Sequence, residues 1–127
     1  MRSTHLGYQK TIDLYGCNTA TINSRAFIEE TLLEASALMN LTIVNFTFHE
    51  FSPIGISGVI VIEESHLTFH SWPEHDYVAI DIFTCNSDYD LAAGIEFLKK
   101  KFDARELIQE DAVRGNLSIV ERLNSNR

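Results

Sequence analysis

The chain is poor in the residues that mark several large protein classes. It has two cysteines, Cys17 and Cys85, in 127 residues, too few for the disulfide framework of a small secreted domain. Reduced thiols in the cytoplasm are therefore the expectation. Six glycines and two prolines exclude a fibrous or low-complexity chain. No stretch approaches the roughly 18 apolar residues of a membrane span, and the opening MRSTHLGYQKTIDLYGC lacks the apolar core of a secretory signal. Basic residues are short as well. Ten Lys and Arg against 18 Asp and Glu leave a net charge of −8, which argues against a basic face for nucleic-acid phosphates and against docking on anionic membrane. There is no H-E-x-x-H, no C-x-x-C, no Gly-rich phosphate loop and no G-x-S-x-G elbow, so zinc-protease, nucleotide-binding and α/β-hydrolase readings lose their usual support.

What remains is an ordinary globular composition, with 45% apolar residues and length enough for one buried core. Residues 9–15 alternate loosely and end at Gly16, which predicts a first strand. Asn23 or Ser24 can cap a helix over about 25–39, in which Phe27, Ile28, Leu32, Ala35, Leu38 and Met39 form one apolar stripe. LTIVNFTFHE (41–50), GVIVIE (58–63), SHLTFHS (65–71) and YVAIDIFTC (77–85) read as strands from their β-branched and aromatic content. Pro53, Gly55 and Gly58 punctuate the first connection. A second helix is expected over about 89–102, with Ser87 opening a weak cap motif, then a strand over 105–113 and a loose tail over 114–127. The order β-α-β-β-β-β-α-β predicts a single α+β domain, a two-layer sandwich with an antiparallel sheet and two helices on one face.

The polar string EESHLTFHSWPEHDY lies between two apolar strands. A solvated strand face is the usual explanation of such a string. Strand alternation puts His66, Thr68 and His70 on one face and Leu67 and Phe69 on the other. His66 and His70 would stand about 13 Å apart at the usual strand rise, too far to share one metal ion, so no metal site is assigned. Ser65, His70 and Asp81 could form a hydrolase triad on paper, but any domain of this size contains such residues.

Read as a whole, the string carries more. Glu64-Ser65-His66-Leu67-Thr68-Phe69-His70, then Trp72-Pro73-Glu74, then Asp81-Ile82-Phe83-Thr84-Cys85 resembles the prokaryotic-type S-adenosylmethionine decarboxylase proenzymes. Phe48-His49-Glu50-Phe51-Ser52-Pro53 with Gly55-Ile56-Ser57-Gly58, and Asp13-Leu14-Tyr15-Gly16-Cys17, are similar to that family too. The resemblance covers about residues 6–113. It departs at Gly7-Tyr8-Gln9, where members commonly have Gly-Arg-His, and at Lys10-Thr11-Ile12, where an apolar run is usual.

The resemblance implies a self-processing decarboxylase of S-adenosylmethionine that supplies aminopropyl groups for spermidine synthesis. The chain would break between Glu64 and Ser65, and Ser65 would become a pyruvoyl group that binds the substrate amine as a Schiff base and serves as electron sink in place of pyridoxal phosphate. By the same resemblance Ser57 assists processing, His70 is the base for the elimination, and Cys85 protonates the carbanion left by carbon dioxide. Phe51 and Trp72 would flank the adenine and Glu74 would take the ribose hydroxyls. Members pair as homodimers with sites at the interface. Two rivals stand beside this reading: a pyruvoyl enzyme acting on arginine or ornithine, and an unprocessed binding homologue that would persist as an intact chain of 14.4 kDa.

Overall fold

The computed structural model describes residues 4–85 and 88–125. Six antiparallel strands form one sheet: β1 (His5–Tyr15), β2 (Ile43–Glu50), β3 (Ile56–Ile62), β4 (Ser65–Trp72), β5 (Tyr77–Thr84) and β6 (Glu106–Asn116). Their spatial order is β2-β3-β4-β5-β1-β6. Strands β2 to β5 form a meander joined by short connections, and β1 is set between β5 and β6. The helices are α1 (Thr19–Ile22), α2 (Arg25–Leu38), α3 (Ala92–Lys101) and α4 (Leu117–Asn124). The expected α+β sandwich is present, and none of the described helices is long and apolar enough to cross a membrane.

Alternation sorts the side chains. Ile12 and Leu14 of β1, Ile56, Ile60 and Ile62 of β3, Leu67 and Phe69 of β4, and Val78, Ile80 and Ile82 of β5 turn inward and are buried. They meet Ile28, Leu32 and Ala35 of α2 and Ile95 and Leu98 of α3 in one apolar core. Each fully buried Leu, Ile or Phe contributes roughly 1.5–3 kcal/mol over its exposed state. Ser24 is the cap of α2: its Oγ accepts the Phe27 N–H at 3.2 Å, satisfying one of the free donors of the first turn. Asn23, the alternative cap, instead accepts the Gly55 N–H at 3.2 Å, tying the helix start to the β2–β3 connection. Helices α2 and α3 come close at Gly94, where a Cβ would stand 2.3 Å from Met39 Cγ.

The edges of several elements differ from the sequence expectation. Strand β1 begins at His5, because its polar first half finds ladder partners in both β5 and β6. Helix α3 starts only at Ala92, led by the Asp90 side chain, which accepts the Ala92 N–H at 3.1 Å; the expected cap Ser87 lies outside the described residues. Strand β6 runs on to Asn116 along β1. The following polar segment, expected as a loose tail, forms α4, which Asn116 caps and which buries none of its residues.

Candidate active site

The opposite face of the sheet carries no helix of the core. Ser57 on β3 and His70 on β4 are register partners on that face, and their Oγ and Nδ1 atoms lie 2.8 Å apart. A serine hydroxyl at hydrogen-bond distance from an imidazole can exchange a proton with it. Trp72, two residues on, has its ring 6.2 Å from His70 and stacks on Tyr77 at 5.2 Å. Tyr77 in turn stacks on Tyr15 and donates its O–H to the Asp13 carboxylate. Burial and that carboxylate hold the Tyr77 hydroxyl far above its ordinary range, so it stays a donor. Phe51 follows β2 at this end of the sheet, and its N–H donates to the Gly55 carbonyl at 2.8 Å. Glu74 is exposed in the 3-10 turn Pro73–His75. Ser57, His70, Phe51, Trp72 and Glu74 therefore gather at one end of the sheet.

Ser65 and Cys85 belong to the other end. Ser65 opens β4, directly after the two-residue turn Glu63–Glu64 that joins β3 to β4. Cys85 follows β5, and its backbone N–H donates to the Glu64 carbonyl at 3.1 Å. The carbonyl that precedes Ser65 is thus polarised by a fixed donor, as an oxyanion-type site requires. The Cys85 side chain is exposed. Ser65 and His70 are five positions apart on one strand, a span of about 16 Å at the usual rise. A single copy therefore brings together Ser57 with His70, sets Cys85 one position beyond Thr84, the register partner of Ser65, and keeps His70 apart from Ser65. His66, next to Ser65 on β4, stacks on Phe83 at 5.5 Å.

Sequence reasoning misses Thr42 and Tyr89. Both hold the Glu64 carboxylate: the Thr42 N–H donates to Oε1 at 3.0 Å, and the Tyr89 O–H donates to Oε2 at 2.9 Å. Burial by itself raises the Glu64 carboxyl; the donors around it, Thr42 and Tyr89 among them, outweigh burial and hold the group below its ordinary value. Neither residue belongs to a motif, and Tyr89 reads from the sequence as helical. The departures near the start sit in β1. Tyr8 is paired with Thr84, which is paired with Ser65, so the unusual residue is two strands removed from Ser65. A cleft of about 260 Å³ on the helix side, lined by Tyr8, Lys10, Thr84, Tyr89 and Asp111 among others, holds none of the expected site residues.

A two-layer sandwich with a serine behind a hydrogen-bonded carbonyl at one end of a strand ladder and a serine–histidine pair at the other defines a small α+β domain with two groups of polar candidates. A family model described as S-adenosylmethionine decarboxylase matches residues 8–115. The chain is 39% identical over 120 residues to an S-adenosylmethionine decarboxylase proenzyme of Acidithiobacillus ferrooxidans, covering 94% of this chain and 89% of that one. It is 44% identical over 112 residues to the proenzyme of that name from Pseudomonas aeruginosa, covering 88% and 70%. The adenosylmethionine decarboxylase of Aquifex aeolicus superposes with a TM-score of 0.80 at 27% identity, over 89% of this chain and 93% of that chain. The chain belongs to the S-adenosylmethionine decarboxylase family.

Proposed function

We propose that the protein is a self-processing, pyruvoyl-dependent decarboxylase of S-adenosylmethionine, acting as a homodimer whose sites are each completed by two copies. The observation that carries the reading is the Glu64–Ser65 junction: a serine beside a tight turn, whose preceding carbonyl already accepts a backbone N–H from Cys85. In the processing reaction the Ser65 Oγ attacks the Glu64 carbonyl carbon, the C–N bond breaks, and an ester replaces the amide. The Cys85 N–H stabilises the oxygen that gains charge in that step. A base then removes the Ser65 α-proton, the ester carbon–oxygen bond breaks to release Glu64 as a carboxylate, and the resulting dehydroalanine takes up water and loses ammonia. The pyruvoyl group so formed supplies an electrophilic carbonyl that draws electrons from a bound amine.

His70 is the base in this reading and Ser57 supports it, yet both belong to the end of the ladder about 16 Å from Ser65 within one copy. Two-fold pairing resolves the separation. In an isologous dimer the His70 end of each copy meets the Ser65 end of the other, and two complete sites result. The sheet face turned away from α2 and α3 suits such burial, since Tyr15, Val59, Val61, Trp72 and Ile108 are exposed apolar side chains, more than a lone solvated sheet face needs. Phe51 and Trp72 then flank the adenine, Glu74 takes the ribose hydroxyls, and Cys85 returns the proton after carbon dioxide leaves. The two free thiols favour the cytoplasm.

Intact mass spectrometry under denaturing conditions tests the reading, with and without a carbonyl-trapping hydrazine. Two fragments divided at Glu64/Ser65, the second one trapped, are expected, together with carbon dioxide release from carboxyl-labelled S-adenosylmethionine but not from arginine or ornithine. The Ser65→Ala chain is expected to stay whole, folded and inactive. A single unmodified wild-type chain after long incubation would refute the reading and favour a binding homologue.

A further inference from the structure

We infer that Thr42 and Tyr89 are positioning residues for self-processing: together they grip the Glu64 side chain and so fix the peptide bond that Ser65 attacks. The inference rests on the self-processing reading above and adds a part to it. The turn holds two glutamates with opposite fates. Glu63 is exposed, whereas Glu64 is buried. A carboxylate is buried only where donors replace its water, and Glu64 has them on both oxygens. The Thr42 N–H reaches Oε1 at 3.0 Å, and its hydroxyl lies 3.4 Å from Oε2. The Tyr89 O–H reaches Oε2 at 2.9 Å. The Thr42 carbonyl also accepts the Glu63 N–H at 2.9 Å. The turn is thus tied to the segment before β2 at both of its residues, to the segment before α3 through Tyr89, and to the end of β5 through the Cys85 N–H.

The acyl shift needs this. A two-residue turn is free to rotate its peptide planes, and Oγ must approach the carbonyl carbon along a narrow path. Holding residue 64 by its side chain and its carbonyl leaves the Glu64–Ser65 plane one orientation. Bonds of this kind to a charged group are the strong ones.

The test follows full-length chain made by cell-free translation, so that conversion is seen from the start. Ester formation is read by mass spectrometry as the fragments released by hydroxylamine, and Ser65→Ala is the uncleavable control. Tyr89→Phe removes one donor without changing ring packing, and Glu64→Gln weakens the grip from the other side. Each is expected to slow ester formation on the order of tenfold, with an unchanged circular-dichroism spectrum. Once matured, Tyr89→Phe is expected to keep kcat and KM within about twofold, since its role ends with cleavage. Ester formation at the wild-type rate in both variants overturns the inference. So does an equal loss of kcat in matured Tyr89→Phe, which marks a general distortion. Should Tyr89→Phe not fold, the rate in Glu64→Gln decides alone. If wild-type chain gives no hydroxylamine-sensitive ester at all, the self-processing reading fails and the positioning role fails with it, an outcome distinct from normal wild-type processing with unaffected variants.

Discussion

Ser57 Oγ and His70 Nδ1 face each other at 2.8 Å across the β3–β4 ladder, at the opposite end of that ladder from Ser65. An acid–base pair is complete within one copy, and the serine it is proposed to serve is out of its reach.

Mixing variants tests that separation. His70→Ala and Ser65→Ala are each expected to be inactive alone. Refolded together, half of the dimers carry one of each chain, and one of their two sites then holds both intact halves. Activity of roughly a quarter of wild type is expected in the random mixture. Absence of any recovery, with mixed dimers demonstrated by native mass spectrometry, places the whole site within one copy.

Cys85→Ala separates the two roles proposed for that position. The backbone N–H on the Glu64 carbonyl survives the substitution, so cleavage is expected at near the wild-type rate. The exposed thiol is lost, and a proton donor contributes roughly 10²–10⁴-fold, so kcat is expected to fall by about two orders of magnitude or more. Turnover measured on fully cleaved protein checks this, and an unchanged kcat removes the thiol from the reaction.

Cys17 is expected to be chemically silent. It is buried, and burial, with the charges of Asp76 and Asp103, pushes its thiol up to about 11. Only thiolate reacts, so iodoacetamide at mildly alkaline pH labels Cys85 and spares Cys17 until the protein unfolds. The sign for stability follows. The unfolded thiol ionises near 9 and the folded one near 11, so folded protein holds its proton more tightly and loses stability as pH rises between those values. Chemical denaturation at a series of pH values across that window reads the trend, and Cys17→Ala lessens its slope between about 9 and 10, below the range where the raised Tyr77 hydroxyl adds a loss of the same sign.

Gly94→Ala probes the contact of α2 with α3. Alanine is the better helix former by up to about 1 kcal/mol, yet its Cβ would stand 2.3 Å from Met39 Cγ and 3.1 Å from the Ala35 carbonyl. Met39 is itself buried in the core, with little room to move aside. Overpacking of this kind costs about 1–3 kcal/mol, so a net loss is expected in urea unfolding. A gain shows that the helices can part.

The meander is legible in the sequence because its strands announce themselves. The alternation of Leu67 and Phe69 against His66, Thr68 and His70 fixes faces as well as elements. The helix stripe of Ile28, Leu32 and Ala35 is equally clear. Boundaries are harder. Nothing local in His5–Tyr8 demands a strand, because its pairing is supplied by β5 and β6, distant in sequence. Helix α4 owes its form to the Asn116 cap and an amphipathic pattern short enough to pass for a tail. Family resemblance points to the site residues, and geometry divides them between two ends of the sheet. Thr42 and Tyr89 stay hidden because a hydrogen bond to Glu64 from 22 or 25 positions away leaves no pattern in the chain.

The place of β1 between β5 and β6 has a consequence for the history of the molecule. Before cleavage, folding is a first-order event on one chain. A cut between Glu64 and Ser65 turns the same sheet into an interleaved pair, in which the first fragment supplies β1, β2 and β3 and the second supplies β4, β5 and β6. Neither fragment's strands form an unbroken row, since β1 of one is gripped on both sides by strands of the other. Recovery of the proposed cleaved form from denaturation would then be a meeting of two polypeptides, dependent on concentration, and that form would be a structure more easily kept than regained.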